Sequence, residues 1–202
     1  KFVDFLEKAG QKYWQILPIC PTSYGDSPYQ SFSVHAGNPY FIDFDILEAD
    51  GLLEHHEFAS YKWENDAEKV DYSIIYTNCY EVLRIAFSRF KASKCAEYKA
   101  FCTENKAWLD DYALFMALKD KNEGKAWYEW DEELAMHKAK AVSSAKKELK
   151  NEIAFYKFVQ YEFSHQWAEL KKYANDNGIE LIGDIPIFLS FNEKYLYLGF
   201  SG

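Results

Sequence analysis

The run Tyr13-Trp14-Gln15-Ile16-Leu17-Pro18 decides the fold class. It is a short apolar segment bounded by turn residues, and it reads as a buried strand. Just before it, residues 1–9 place Phe2, Phe5, Leu6 and Ala9 on one helical stripe, with Gly10 as the expected stop. Just after it, from Pro18 to Pro39, the texture turns to Pro, Gly, Ser, Asp, Asn and Tyr, a loop long enough to be functional. Helix, buried strand and long loop in that order begin a parallel α/β sheet or barrel, in which chemistry sits on the loops at the strands' C-terminal ends.

Further along, Pro39-Tyr40-Phe41-Ile42-Asp43-Phe44 alternates well enough to predict a second strand, followed by a turn at Leu47–Leu53. From about Ser73 to Lys150 the pattern is helical. Ile75, Cys79, Val82, Leu83, Ala86 and Phe90 keep the 3/4 spacing, and further helices are expected over Asp110–Lys119 and Asp131–Lys150. Phe155, Phe158, Val159, Phe163, Trp167, Leu170 and Ala174 form one long stripe that closes at Asn175-Asp176-Asn177-Gly178. Ile179-Glu180-Leu181-Ile182-Gly183-Asp184-Ile185-Pro186 then reads as tight turn and buried strand. The expected organisation is residues 1–72 with the first strands and a loop suited to ligand binding, 73–150 as a large helical insertion, and 151–202 as a helix and third strand.

Composition limits the function classes. Lys plus Arg is 23 against 32 Asp plus Glu, a net charge of −9 that argues against a nucleic-acid partner. No run of about 18 apolar residues exists, so no membrane partner is expected. Cys20, Cys79, Cys95 and Cys102 show no CxxC spacing and no His partner at zinc spacing, and a reduced cytoplasmic setting fits them. Cys95 and Cys102 read as core residues two turns apart on one helix face. His55-His56 lacks a third ligand nearby, so no metal site is expected there. Aromatic residues make up 19% of the chain, and with many acids and few bases they suit a surface that stacks neutral, hydroxyl-rich rings, or simply a bulky helical core.

Two segments could carry chemistry. Pro21-Thr22-Ser23-Tyr24-Gly25-Asp26-Ser27-Pro28-Tyr29-Gln30-Ser31 gathers hydroxyls, a carboxylate, an amide and two phenols. Sugar hydroxyls, which donate and accept, are met by such groups, while phenol faces cover apolar ring faces. A self-capped surface turn is the other reading. Asp184 follows an apolar strand with Pro186 just beyond, a place where a carboxylate faces a site or else serves as a cap or buried ion pair. His35, near Asn38 and Pro39, reads as stabilising the loop.

These segments resemble a known family. Trp14-Gln15-Ile16-Leu17-Pro18, Pro21 through Ser33 and Ala36-Gly37-Asn38-Pro39-Tyr40 are similar to the N-terminal signature of the 4-α-glucanotransferases, also called amylomaltases or disproportionating enzymes. Phe155 through Phe163 with Gln166-Trp167, and Ile182-Gly183-Asp184-Ile185-Pro186-Ile187, resemble the family's second signature. The resemblance implies the first three strands of a (β/α)₈ TIM barrel with a large helical insertion. It also implies transfer of α-1,4-glucan segments between maltodextrins by a retaining mechanism, whose two carboxyls stand about 5–5.5 Å apart. The implied substrate-binding residues are Tyr24, Asp26, Ser27, Tyr29, Gln30, Asn38, Asp184 and Pro186, with Ser27, Tyr29 and Asp184 beside the cleaved bond. The implied partner is a maltodextrin or starch-type α-glucan, without metal, organic cofactor or obligate protein partner.

Departures matter too. The Arg-Ile-Asp-like strand of the family's nucleophile, the Glu-Asp-Leu-Gly-like strand of its acid/base and the third carboxylate after a His are not in these 202 residues. No catalytic residue is therefore expected here. After Phe188 the sequence leaves the family pattern, and the chain opens at Lys1 already inside a helix. The expectation is a fragment, inactive alone, of a longer transferase; a glucan-binding piece without turnover and a relic without function are the rivals.

Overall fold

In the computed structural model, the described residues are 1–22, 25–31, 33–66 and 68–186. They form a mainly helical body beside a small parallel sheet. Helix α1 (Phe2–Lys8) ends at Gly10, whose φ of +70° is a turn conformation that side chains resist. Strand β1 (Tyr13–Gln15) follows, and it pairs in parallel with β2 (Glu180–Ile182) in the register Tyr13 to Glu180 and Gln15 to Ile182. Parallel neighbours need a crossover, and here it consists of everything between them. Val3, Leu6, Ala174 and Ile179 form a small core under the sheet, with Trp14 and Leu181 packed on it. The other face, with Tyr13, Ile182 and Leu17, is exposed.

Inward packing of α1 corrects the expected stripe. Val3 and Leu6 are buried, whereas Phe2 and Phe5 face out, Phe2 edge-on to Trp14 with ring centres 5.1 Å apart. A larger correction concerns 39–44, which is no strand. Pro39–Phe41 is a 3-10 turn, and Phe44–Ala49 is helix α2. The reason is capping. Asn38 Oδ1 accepts from Tyr40 N–H at 3.0 Å with Pro39 fixing the first turn, and Asp43 Oδ1 accepts from Asp45 N–H at 2.9 Å. The described residues thus hold two strands, and the segment at 180–182 is the second.

Beyond α2 come α3 (His56–Ala59), α4 (Tyr72–Arg89), α5 (Ala96–Glu104), α6 (Lys106–Lys121), α7 (Glu132–Ala135), α8 (Ala139–Glu148) and α9 (Lys150–Asp176). The helix expected over Asp131–Lys150 is two, broken where His137 takes a φ of +52°. Cys95 is not inside a helix; it caps α5, its Sγ accepting from Tyr98 N–H at 3.3 Å, and both it and Cys102 are half-buried. α9 is the spine, packing against α4, α5, α6 and α8. Phe155, Phe158 and Val159 on it meet Tyr112, Phe115 and Leu114 of α6 and Val82 and Leu83 of α4 in one continuous core. Each such large side chain contributes about 1.5–3 kcal/mol by leaving water. Trp167 and Leu170, expected on the inner stripe, are only partly covered, and the buried polar residues Gln160, Glu162 and Gln166 take inner positions instead.

Candidate functional site

The loop after β1 is stitched together by its own hydroxyls. Thr22 and Ser31 form an antiparallel bridge that closes its tip. Ser31 Oγ donates to Pro21 O at 2.6 Å and accepts from Ser33 N–H at 3.2 Å, and Ser33 Oγ accepts from the N–H groups of His35 and Ala36. At the tip, Gly25 (φ +93°) and Asp26 (φ +54°) both adopt left-handed backbone, which turns the chain so that Ser27 to Gln30 can form a tight turn closed by Gln30 N–H to Ser27 O at 3.1 Å. Ser27 Oγ meets Tyr29 N–H at 3.4 Å. The surface turn is therefore self-capped in part. His35 joins the loop to α6 by stacking on Trp108, ring centres 6.0 Å apart.

The turn at 27–30 presents Tyr29 to the end of β2. Its hydroxyl donates to Asp184 Oδ2 at 2.9 Å, across 155 residues of sequence. The bond raises the Tyr29 hydroxyl's pKa, because the carboxylate favours the protonated phenol. The other Asp184 oxygen accepts from Ile185 N–H at 2.8 Å. Asp184 is exposed, so among the described residues it is no buried ion-pair partner. Pro186, half-buried, lies just beyond. Asn38 is buried, its Oδ1 used in capping and its N–H on Ile19 O at 2.8 Å. Tyr24 lies outside the described residues.

On another side of the loop lies a cleft of about 1100 Å³. Thr22, Asp26, Asn38 and Tyr40 line it together with Tyr72, Tyr76 and Tyr80 of α4. Its far end is ionic. Arg84 holds Glu152 at 2.7 Å and Asp120 at 3.6 Å while lying over the Phe155 ring, and Asp120 accepts from Tyr156 O–H at 2.6 Å. Burial pushes the Asp120 carboxyl upward, against the pull of the Tyr156 bond and Arg84. Burial likewise raises the hydroxyls of Tyr40 and Tyr80 above the ordinary phenol range, so both stay neutral donors. Tyr29 and Asp184 are not in this lining; the loop serves both places, offering Asp26 to the cleft and Tyr29 to the strand end.

Residues 1–193 match the profile of a family described as 4-alpha-glucanotransferase. The chain belongs to the 4-alpha-glucanotransferase family. Within it, a 4-alpha-glucanotransferase of Clostridium butyricum is 47% identical over 190 residues, covering 94% of this chain and 39% of that protein. One from Thermus thermophilus is 44% identical, with 94% and 38% covered. The chain also superposes with a TM-score of 0.92 on a solved amylomaltase from Streptococcus agalactiae in complex with acarbose, 40% identical, covering 97% of this chain and 40% of that one. The chain thus spans well under half the length of the relatives it matches.

In this member of the family, the α4 tyrosines carry a signal in the sequence. Tyr72, Tyr76 and Tyr80 recur every fourth residue, a row that adjoins the Cys79–Val82–Leu83 core stripe, with Tyr80 packed against the core. Asp120 and Arg84 carry no such signal, since only the packing of α4 and α6 on the common α9 brings them together. Among the described residues the His55-His56 pair gains no third ligand: His56 Nδ1 pairs with Glu54 Oε2 at 3.4 Å, while potential ligand atoms of Asp45, Glu48 and His55 lie within 4.8 Å of one another, with His55 Nδ1 on Glu48 Oε2 at 3.1 Å. Among the described residues, no helix is long and apolar enough to cross a membrane.

Proposed function

We propose that this chain supplies the glucan-binding side of a 4-alpha-glucanotransferase, an enzyme that cuts an α-1,4-glucan, keeps the donor part on a carboxylate and passes it to a second glucan. The bond from Tyr29 to Asp184 at 2.9 Å carries the reading, because it joins the two separate signatures in one surface. Ser27, Tyr29 and Asp184 would meet the glucose ring beside the cleaved bond. A phenol face and an exposed carboxylate are what a sugar needs there. Asp26, Asn38 and the α4 tyrosines would hold a stretch of the glucan in the cleft, with Tyr24 and Gln30 as further sugar contacts and Pro186 holding the strand end.

The pairing of β1 with β2 through a helical crossover supports a further reading, that the sheet is part of a (β/α)₈ barrel. Residues 73–150 would be its helical insertion, with 1–72 and 151–202 as barrel segments on either side. The exposed face of Tyr13, Leu17 and Ile182 would then be the barrel's inward one. The reacting carboxyl pair would lie outside these 202 residues. That a relative 40% identical holds acarbose supports a sugar ligand for this surface.

Two measurements on the 202-residue chain test this. Incubated with maltotriose, it releases no glucose. Titrated with maltoheptaose, its tryptophan and tyrosine fluorescence changes and saturates, and Tyr29→Ala weakens that binding about tenfold through loss of the ring contact and the bond to Asp184. Glucose release from the pure chain would place the reacting carboxyls within it and contradict the division of labour. A folded sample indifferent to sugar up to millimolar would remove the binding role as well.

A further inference from the structure

Two buried glutamines of α9 grip the backbone of the site segment in the same way. Gln160 Oε1 accepts from Gly37 N–H at 2.7 Å while its Nε2 donates to Gly37 O at 3.0 Å. Gln166 Oε1 accepts from Asp43 N–H at 2.7 Å while its Nε2 donates to Asp43 O at 3.1 Å. Each amide thus copies the paired bonds of an antiparallel strand partner, and each grips a residue 123 positions upstream. Gln160 is 1% and Gln166 8% exposed, so water is poorly placed to replace them. The two lie six residues apart on one helix, a rise of about 9 Å, and the clamped stretch between carries Asn38 and Tyr40, both in the cleft wall.

From this geometry we infer that Gln160 and Gln166 are positioning residues for the glucan site, fixing the 37–43 segment on the rigid α9 so that Asn38 and Tyr40 stand where a sugar meets them. Only an amide performs the task, since each grip needs one acceptor and one donor on the same planar group. A carboxylate would keep the bond to the N–H and set a second oxygen against the carbonyl. A methionine would fill the space and leave both backbone groups without a partner. The inference rests on the glucan-binding reading above, and its test separates the two.

Gln160→Met and Gln160→Glu are compared with the wild-type chain by amide hydrogen exchange and by maltoheptaose titration, at about pH 8 and about pH 5.5, with folding checked by near-ultraviolet circular dichroism. In Gln160→Met the Gly37 amide exchanges faster at both pH values, the Asp43 amide stays protected by Gln166, and maltoheptaose binds about tenfold more weakly. Gln160→Glu behaves like it at high pH. At low pH the carboxyl takes up a proton and donates to Gly37 O, and binding returns to within about threefold of wild type. The wild-type profile is the baseline, because the neighbouring buried Glu162 titrates in the same range. Unchanged Gly37 exchange overturns the clamp. Faster exchange with unchanged sugar affinity reduces it to a fold contact and overturns the positioning role. A Gln160→Glu profile parallel to wild type overturns it as well, and remains decisive should Gln160→Met fail to fold. A wild-type chain that binds no sugar fails the glucan reading itself, and this inference with it, whereas exchange still reads the clamp.

Discussion

Gly37→Ala lowers the stability of this chain by about 3 kcal/mol, the upper part of the range for overpacking a closed site, and its Tm by roughly 10 °C. The reason is space, not backbone torsion. A Cβ on Gly37 would fall 1.9 Å from Cδ1 and 2.0 Å from Cε1 of the Phe163 ring. Neither side can yield cheaply. The ring is carried by α9 and packs on the main core, and the Gly37 backbone is held at both N–H and C=O by Gln160. The energy therefore goes into moving the loop, and the Asn38 wall of the cleft moves with it. Thermal unfolding of Gly37→Ala, Phe163→Ala and the double variant checks this. Removing the ring makes room for the methyl, so the double variant is less destabilised than the sum of the singles by about 1 kcal/mol or more. A Gly37→Ala protein as stable as wild type would show that the contact is not rigid.

The second large effect is on pH. Glu162 is 2% exposed, on α9 between the two clamping glutamines. Burial first, and the charge of Asp50 second, push its carboxyl from an ordinary 4.5 up to about 7. A carboxyl that holds its proton more tightly when folded makes the folded state bind more protons than the unfolded one between those two values. Stability then falls as pH rises from about 4.5 to about 7 and stays low above, because the folded state must bury the charge. Over that window the loss amounts to about 3 kcal/mol. Glu162→Gln keeps the shape and cannot ionise. Urea unfolding at a series of pH values has wild type and variant converging at the acid end, with the variant more stable by about 3 kcal/mol at pH about 8. Parallel curves would mean that Glu162 finds compensation when charged.

Much of this could be read from the linear sequence, and the parts that could not share a cause. The apolar run at Tyr13, the long loop after it and the strand before Asp184 are local patterns and lie where periodicity and turn residues put them, but the strands are not buried as expected: each covers one face on the small core and shows the other to solvent. Segment 39–44 was misread although its signals were local as well: Asn38 before Pro39, and Asp43 before an apolar helical run, are capping signals that outweigh a loose alternation. Phe2 and Phe5 were misplaced because apolar character does not say which residues of a short helix turn inward; the approach of Ala174 and Ile179 decides that in favour of Val3 and Leu6. The glutamine clamps, the contact of Gly37 with Phe163 and the meeting of Arg84 with Asp120 all join residues far apart in sequence, and no local rule expresses them. Tyr29 meeting Asp184 was legible only through the family resemblance.

The central claim is that the phenols around the first loop bind glucan. It is tested most directly by tyrosine-selective NMR of the 202-residue chain during titration with maltoheptaose, resonances being assigned by Tyr29→Phe and Tyr76→Phe. The account predicts saturable shifts of the Tyr29 and Tyr76 ring signals, with Tyr128 and Tyr173, exposed elsewhere, left unmoved. Shifts confined to Tyr128 or Tyr173, with Tyr29 unaffected at saturating sugar, would contradict it.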